Sequence, residues 1–256
     1  FYQPNMITLS VIIIVKDAAS DIRACLESVK WADEIIILDS GSRDNTLEIC
    51  RQYTQNIFFF DWPGFGVQKN RALDKAQGKW VLSLDADEAL SPGLIEEIKQ
   101  IIFSAAVSSE AYAIKRVSFF SGKKIRYGDW SADKVVRLFR RLATIRFTPS
   151  MVHEHLIGYQ RLATLKQVIF HNTMKDMSQV LMKLESYSSY GAQLAYQQHK
   201  KSSLLKAIGH SFWCFIRGYL LRLGFLDGRE GFILAISNAL GVFYRYVKLI
   251  YLYELG

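Results

Sequence analysis

Cysteine is scarce in this chain. Cys25, Cys50 and Cys214 are three in number, far apart and never arranged as Cys-x-x-Cys. A disulfide framework and a clustered zinc site are therefore not expected, and a reducing compartment fits. A Gly-x-Gly-x-x-Gly fingerprint is missing. Gly64-Phe65-Gly66 falls short of it, which disfavours a dinucleotide dehydrogenase. His-Glu-x-x-His is missing too, so no zincin helix is expected. The start carries no basic segment followed by an apolar core and a small-residue cleavage site, so no signal peptide is expected. The longest apolar stretches lie near the C-terminus, where Arg217, Arg222 and Lys248 interrupt them. A spanning helix needs about 20 mostly apolar residues, so no transmembrane span is expected. Repeats and low-complexity tracts are also wanting.

What is present suits a packed globular protein. Half of the 256 residues are hydrophobic and 22% are charged, which favours a globular core over disorder. The length allows one large domain, or one domain with an extension. The formal charge of +8 suits an anionic partner such as a nucleotide, a nucleic acid or an acidic lipid surface. No nucleic-acid motif accompanies the charge, and basic residues do not cluster on the expected sheet. Nucleic acid is therefore not the expected partner.

The first half alternates strands and helices. Leu9 to Val15 is a continuous β-branched run, as a buried parallel strand should be. Ser20 is a plausible N-cap for a helix carrying Ile22, Leu26 and Val29. Further strands are expected at Glu34 to Leu38, Ile57 to Phe60 and Trp80 to Leu84. Helices are expected at Thr46 to Tyr53, Gln68 to Ala76 and Ser91 to Ser104, the last with Pro92 in its first turn. Shorter strands are expected at Tyr112 to Phe120, Val135 to Phe139 and Arg146 to Phe147. Past Asp176 the pattern is helical. This order implies an α/β fold, a doubly wound sheet with helices on both faces and a helical C-terminal extension.

Ligands of such sheets bind beyond the carboxyl ends of the strands. Asp17, Asp39 and Asp85 each follow an expected strand, which sets three carboxylates along one edge. Asp85-Ala86-Asp87 places two of its acids one residue apart on a turn. Such a pair can meet a divalent cation, Mg2+ or Mn2+, that bridges a diphosphate. In Asp39-Ser40-Gly41-Ser42-Arg43-Asp44, Gly41 permits a tight turn. There Asp44 reads as an N-cap and Asp39 as a contact to a base or ribose.

Four segments in order carry a resemblance: Ile12 to Asp17, Ile37 to Thr46, Gln68 to Leu73 and Leu84 to Glu88. Together they resemble glycosyltransferase family 2, the inverting class with the GT-A (Rossmann-like) fold. The chain has Asp17-Ala18 where that family commonly has Asn-Glu. The resemblance implies that Asp17 and Asp39, with Ser40 in the same loop, bind the donor nucleoside. Lys69 would lie near uracil or phosphate. Asp85 and Asp87 would hold the sugar nucleotide through the metal, with Asp87 the direct ligand. Downstream, Arg137-Leu138-Phe139-Arg140-Arg141, Val152-His153-Glu154, Phe170-His171 and Tyr219 to Phe232 are similar to the lipopolysaccharide-core β-1,4-glucosyltransferase branch. That branch implies UDP-glucose as donor and a lipid-linked saccharide, such as lipopolysaccharide inner core, as acceptor. Some GT-A enzymes use a downstream histidine as a further metal ligand, which marks His171.

An inverting transfer needs a base for the acceptor hydroxyl. Glu154 is the first candidate, held charged by its histidine neighbours. Asp129, in Tyr127-Gly128-Asp129-Trp130, is the second, and Trp130 beside it is either a sugar-stacking or a core residue.

From Lys200 onward eight basic residues face three acids, a charge of +5. Lys206, His210 and Arg217 fall on one helical stripe, and Ile236, Leu240, Phe243, Val247 and Ile250 on an apolar one. These helices are expected either to dock on an anionic membrane or to pack as a hairpin or an oligomer interface. The expectation is thus a GT-A catalytic domain over residues 6–171 and a helical region over 172–256, peripheral on the cytoplasmic face of the inner membrane. Two alternatives stay open: a family member acting on another envelope glycan, and a nucleotide-sugar-binding protein without catalysis.

Overall fold

The computed structural model describes residues 7–104, 107–131, 133–150 and 154–254. The chain divides into two compact units. The first comprises Phe1–Arg116 and Asp133–His171, and the second Val117–Ala132 and Asn172–Gly256. The second unit therefore takes residues 117–132 from inside the segment expected to belong to the catalytic domain.

The first unit opens with β1 (Leu9–Val15), all seven residues buried. Its odd-numbered residues Leu9, Val11, Ile13 and Val15 join one apolar cluster, and Ile12 and Ile14 join another. A strand buried on both faces loses its polar alternation, which is why it reads as one apolar run. On the first face lie α1 (Ile22–Val29), with Ile22, Leu26 and Val29 turned inward, and α4 (Pro92–Phe103), with Leu94, Ile98 and Ile102. The second face takes Ala72 and Leu73 of α3 (Phe65–Lys75). Each fully buried aliphatic side chain contributes roughly 1.5–3 kcal/mol.

Beside β1 run β2 (Glu34–Asp39) and β4 (Trp80–Asp85), both parallel to it, and β3 (Ile57–Phe59) extends the sheet beyond β2. The register pairs Val15 with Asp39 and Ile14 with Asp85. The acids at the ends of β2 and β4 thus share one edge with Asp17, as expected. The short helix α2 (Thr46–Cys50) stops earlier than the expected Tyr53 and continues only as turns. Past β5 (Glu88–Leu90) and α4 the sheet becomes mixed. β6 (Ala111–Phe120) ends in the second unit, where β7 (Lys123–Lys124) pairs with it. β8 (Asp133–Arg140) lies antiparallel between β4 and β6. A ribbon of β9 (Arg146–Phe147) and β10 (Leu156–Ile157) precedes the 13-residue β11 (Leu162–Met174), which is antiparallel to β5. The sheet order is β3-β2-β1-β4-β8-β6-β11-β5.

Two caps differ from expectation. The α1 cap is Asp21, without a side-chain cap bond, while Ser20 donates to the Asp21 carboxylate at 2.8 Å. Asn45 caps α2, while the Asp44 carboxylate accepts the N–H groups of Thr46 and Ala19, each at 3.0 Å. Asp44 therefore stitches the loops after β1 and β2 together. Cys25 and Cys50 are buried and unpaired, and burial pushes the Cys50 thiol up to about 11. A thiol so raised carries almost no thiolate at neutral pH, so it is a core residue.

The second unit is built from α5 (Met177–Gln197), α6 (Leu204–Ile216) and α7 (Gly228–Glu254), with a π-helical turn at Arg217–Leu221. Asp176 caps α5 by accepting from Gln179 N–H at 2.9 Å, and Ser203 caps α6. A small core gathers Phe120, Ile125, Met174, Val180 and Leu234, with Trp130 packed against it. Trp130 is thus a core residue of this unit. The face of α7 that packs is not the expected stripe. Gly231, Leu234, Ala235, Ala239 and Leu249 are buried, while Ile236 and Leu240 are exposed. Small residues let backbones approach: a Cβ on Gly231 would sit 1.9 Å from the Gly224 carbonyl oxygen. Among the described residues, the stretch Gly224–Glu254 is long and apolar enough to cross a membrane by length and composition, although the interrupting charges spoke against a span. In the structure α7 packs along α5 and α6, and Lys248 donates to the hydroxyls of Ser188 (2.9 Å) and Ser189 (2.6 Å).

Candidate active site

The carboxyl edge of the sheet is shaped first by its loops. Asp39 is buried, and its carboxylate accepts the N–H groups of Gly41 (2.9 Å) and Ser42 (3.1 Å) and the Ser42 hydroxyl (2.5 Å). It holds its own turn closed, and Gly41 supplies the positive φ of 92° that the turn requires. Asp17 is exposed, takes a φ of 49°, and accepts the Arg43 N–H at 2.7 Å. Ser40 is buried and its hydroxyl accepts from Gln68 Nε2 at 2.9 Å, which ties this loop to α3. The three sequence-derived nucleoside residues therefore lie together, but two of them also hold the loop's shape.

The next residue of α3 is Lys69, which is 1% exposed. Its ammonium lies 2.9 Å from Asp85 Oδ1 and 2.6 Å from Glu154 Oε1. Lys69 is therefore the cation between the donor edge and the acceptor segment. Asn70 makes this possible. Its side chain donates to the Phe147 carbonyl oxygen (2.8 Å) and accepts the Phe147 N–H (2.9 Å), pinning the β9–β10 ribbon to α3. Glu154 enters that ribbon's second strand. It pairs with Lys69. His153 lies outside the described residues, and the exposed His155 is fixed through its backbone to Thr148.

From Asp85 the charges continue inward. Arg137 on β8 bonds the other Asp85 oxygen and reaches Glu88 Oε1 at 2.6 Å. Arg116 approaches the same Glu88 oxygen at 3.0 Å and pairs with Asp133. Glu88 Oε2 accepts the Asp85 N–H at 3.0 Å. Burial acts to raise the Asp85 carboxyl, but the charges of Arg137 and Lys69 outweigh it and hold Asp85 well below the usual carboxylate range. Burial likewise opposes the charge on Arg137, and Asp85 and Glu88 overcome it and raise its pKa. Arg137, Glu88, Arg116 and Gln68 were not foreseen as site residues. One signal was available for Arg137: a charge inside the apolar run Val135-Val136-Arg137-Leu138-Phe139, which demands a buried partner.

Asp87 faces the other way. Its Oδ2 lies 3.3 Å from His171 Nε2, because β5 and β11 pair with His171 opposite Glu88. Both side chains are partly open, 31% and 15% exposed. Among the described residues no three His, Cys, Asp or Glu side chains gather as a metal site. Asp87 and His171 supply one oxygen and one nitrogen, which suits a divalent ion that takes its remaining ligands from a diphosphate and water. Asp85 was expected beside them, but its oxygens are committed to Lys69 and Arg137. Asp129, the second base candidate, falls in the second unit. There Arg217 (3.1 Å) and Arg222 (2.6 Å) take one oxygen each, leaving it fully engaged by cations.

A family model described as glycosyl transferase family 2 matches residues 10–165. An uncharacterised glycosyltransferase of Rickettsia prowazekii is 29% identical over 251 residues, covering 94% of this chain and 86% of that protein. The lipopolysaccharide core biosynthesis glycosyltransferase LpsC of Rhizobium meliloti is 25% identical over 247 residues, covering 94% and 91%. Among solved structures, Staphylococcus aureus TarS 1–349 in complex with UDP superposes with a TM-score of 0.50 at 16% identity, covering 97% of this chain and 92% of that one. This last likeness concerns the fold.

Proposed function

Because the chain belongs to glycosyl transferase family 2, and so is a glycosyltransferase that uses a nucleotide sugar, we propose that it moves a hexose, glucose first, from a UDP-sugar to a lipid-linked saccharide. The observation that carries this reading is the Asp85–Lys69–Glu154 chain at the carboxyl edge of the parallel strands. LpsC supports a lipopolysaccharide-core acceptor by its name and its length match.

The transfer is a single displacement. Glu154 takes the acceptor hydroxyl proton as that oxygen bonds the anomeric carbon, and the bond to the UDP oxygen breaks on the opposite side. Lys69, 2.6 Å from Glu154 Oε1, orients that carboxylate. Asp17, Asp39 and Ser40 shape the nucleoside loop. Asp87 and His171 would hold a Mg2+ or Mn2+ ion, which when bound supplies positive charge to the departing diphosphate. Asp85 serves as the anchor for Lys69 and Arg137 rather than as a ligand.

A donor screen tests the reading. UDP-glucose, UDP-galactose, UDP-N-acetylglucosamine and GDP-mannose are compared for thermal stabilisation and hydrolysis, with and without EDTA. UDP-glucose should stabilise most, and EDTA should stop turnover. Asp87→Ala should abolish turnover and weaken metal-dependent UDP binding while the melting curve stays cooperative. Full wild-type activity in EDTA would sink the metal assignment. Donor binding without turnover on any acceptor would instead favour a non-catalytic binder.

The chain works at an acidic membrane surface, on the cytoplasmic face of the inner membrane. Residues 186–226 contain five Lys and Arg and no Asp or Glu. On α6, Leu205 (83%), Phe212 (65%) and Trp213 (55%) are exposed. Of the expected basic stripe Lys206 is exposed, His210 is exposed and stacks on Tyr246 at 4.7 Å, and Arg217 turns to Asp129. Near an anionic surface each Lys or Arg contributes about 1 kcal/mol, which salt screens. The protein should therefore co-sediment with phosphatidylglycerol liposomes better than with phosphatidylcholine ones, and salt should shrink the difference. Replacing Lys200, Lys201 and Lys206 with Gln should do the same. Equal sedimentation with both lipids at low salt would remove the electrostatic part of this reading.

A further inference from the structure

The second unit holds a cleft of about 560 Å³ among α5, α6 and α7. That is within the size range of small-molecule sites. Its walls are of two kinds. Met174, Val180, Leu184, Leu234 and Val242 are apolar, while Lys183, Arg217, Arg222 and Arg245 bring four cations against the one carboxylate of Asp129. Arg217 and Arg222 share that carboxylate. Lys183 donates to the Thr173 carbonyl oxygen at 2.7 Å, and Arg245 lies 4.9 Å from the Tyr246 ring centroid. Neither has a carboxylate partner among the described residues. The Arg217 Nε atom is also buried without a hydrogen-bond partner. A cleft left with excess positive charge and a greasy wall is matched by a ligand that brings both an anion and a chain.

We propose that this cleft binds one amphiphile with a phosphate head, a chain of it against Val180, Leu184, Leu234 and Val242 and its head among Arg217, Arg222 and Arg245. Guanidinium groups suit the head because they donate in pairs to phosphate oxygens. The site goes beyond the donor chemistry proposed above and does not depend on it. A bilayer lipid and a free phosphorylated amphiphile share this chemistry.

The test is calorimetric titration of the full-length chain with monomeric dodecyl phosphate, held below its micelle concentration. Saturable binding of one molecule per chain is expected, with dodecyl maltoside and inorganic phosphate each far weaker. Gly241 lies on the wall of the cleft, and a Cβ there would meet only Leu184 Cγ, at 3.9 Å. Gly241→Leu should therefore fill the cleft without moving backbone and weaken dodecyl phosphate by at least about tenfold. Arg245→Gln, on an exposed residue, should weaken it about ten- to a hundredfold, the range of a charge-assisted hydrogen bond and leave the melting temperature unchanged. Unaltered affinity in both variants would overturn the site, because binding would then lie on the exposed apolar surface. Equal affinity for dodecyl maltoside would overturn the anionic head. Displacement of the bound probe by phosphatidylglycerol vesicles identifies a bilayer lipid as the source, and retention identifies a free amphiphile; both support the site. None of these readouts needs a sugar donor, so a failed donor screen and a failed cleft are told apart.

Discussion

Glu154→Gln should lower the transfer rate about 10²–10⁴-fold, the usual cost of a lost general base. The amide keeps the shape of the side chain, so the fold and donor binding should survive. Lys69 loses one of its two partners but keeps Asp85 at 2.9 Å, and its charge stays compensated. The separation of rate from binding is the informative part. A base acts on the acceptor hydroxyl, so single-turnover rates should fall while UDP-sugar affinity changes little. If the variant instead loses donor affinity as well, Glu154 works through Lys69 as a positioning residue. If it turns over like the wild type while Asp129→Asn is dead, the base is Asp129.

The largest effect on stability should come from Arg137→Met. Arg137 is 4% exposed and joins Asp85 to the fully buried Glu88 side chain. Removing it leaves the buried Glu88 carboxylate and the part-buried Asp85 carboxylate with one cation fewer. Breaking a buried pair in this way costs about 3–5 kcal/mol, which in a chain of this size lowers the melting temperature on the order of 10 °C. The pH dependence has a definite sign. Asp85 has a folded pKa held below its ordinary 3.8, so its pairing stabilises the protein above about pH 4 and is lost as pH falls through the folded value. Without Arg137 the Asp85 carboxylate should take up its proton at higher pH, and the gap between variant and wild type should narrow from pH 7 towards pH 4. Melting curves across that range check it. A variant as stable as the wild type at pH 7 would show that the network contributes nothing net.

The fold class was legible in the sequence for a local reason. Strands buried on both faces, such as Leu9–Val15, are mostly apolar, and Asp39 and Asp85, the last residues of β2 and β4, mark the carboxyl edge of the sheet. The long strand Leu162–Met174 was not legible. Most of its residues are exposed or half-buried, so no burial pattern is written into them. The packed face of α7 was misread because an apolar stripe signals burial only when large residues make the contact, and here Gly231, Ala235 and Ala239 make it.

The individual site residues divide in the same way. In the sequence, Asp17, Asp39, Asp85 and Asp87 were marked by their places after expected strands, and Ser40, Lys69, Glu154 and His171 by what the family resemblance implies. Who pairs with whom was decided only in three dimensions. The β5–β11 register sets His171 beside Asp87, 84 positions away in the chain. The clamp of Asn70 on Phe147 brings Glu154 to Lys69 across 85 positions. Arg137 pairs with Asp85, and Arg217 with Arg222 pairs with Asp129. A charged side chain announces only that it needs a partner; strand register and helix packing choose which one, and sequence spacing carries no trace of that choice.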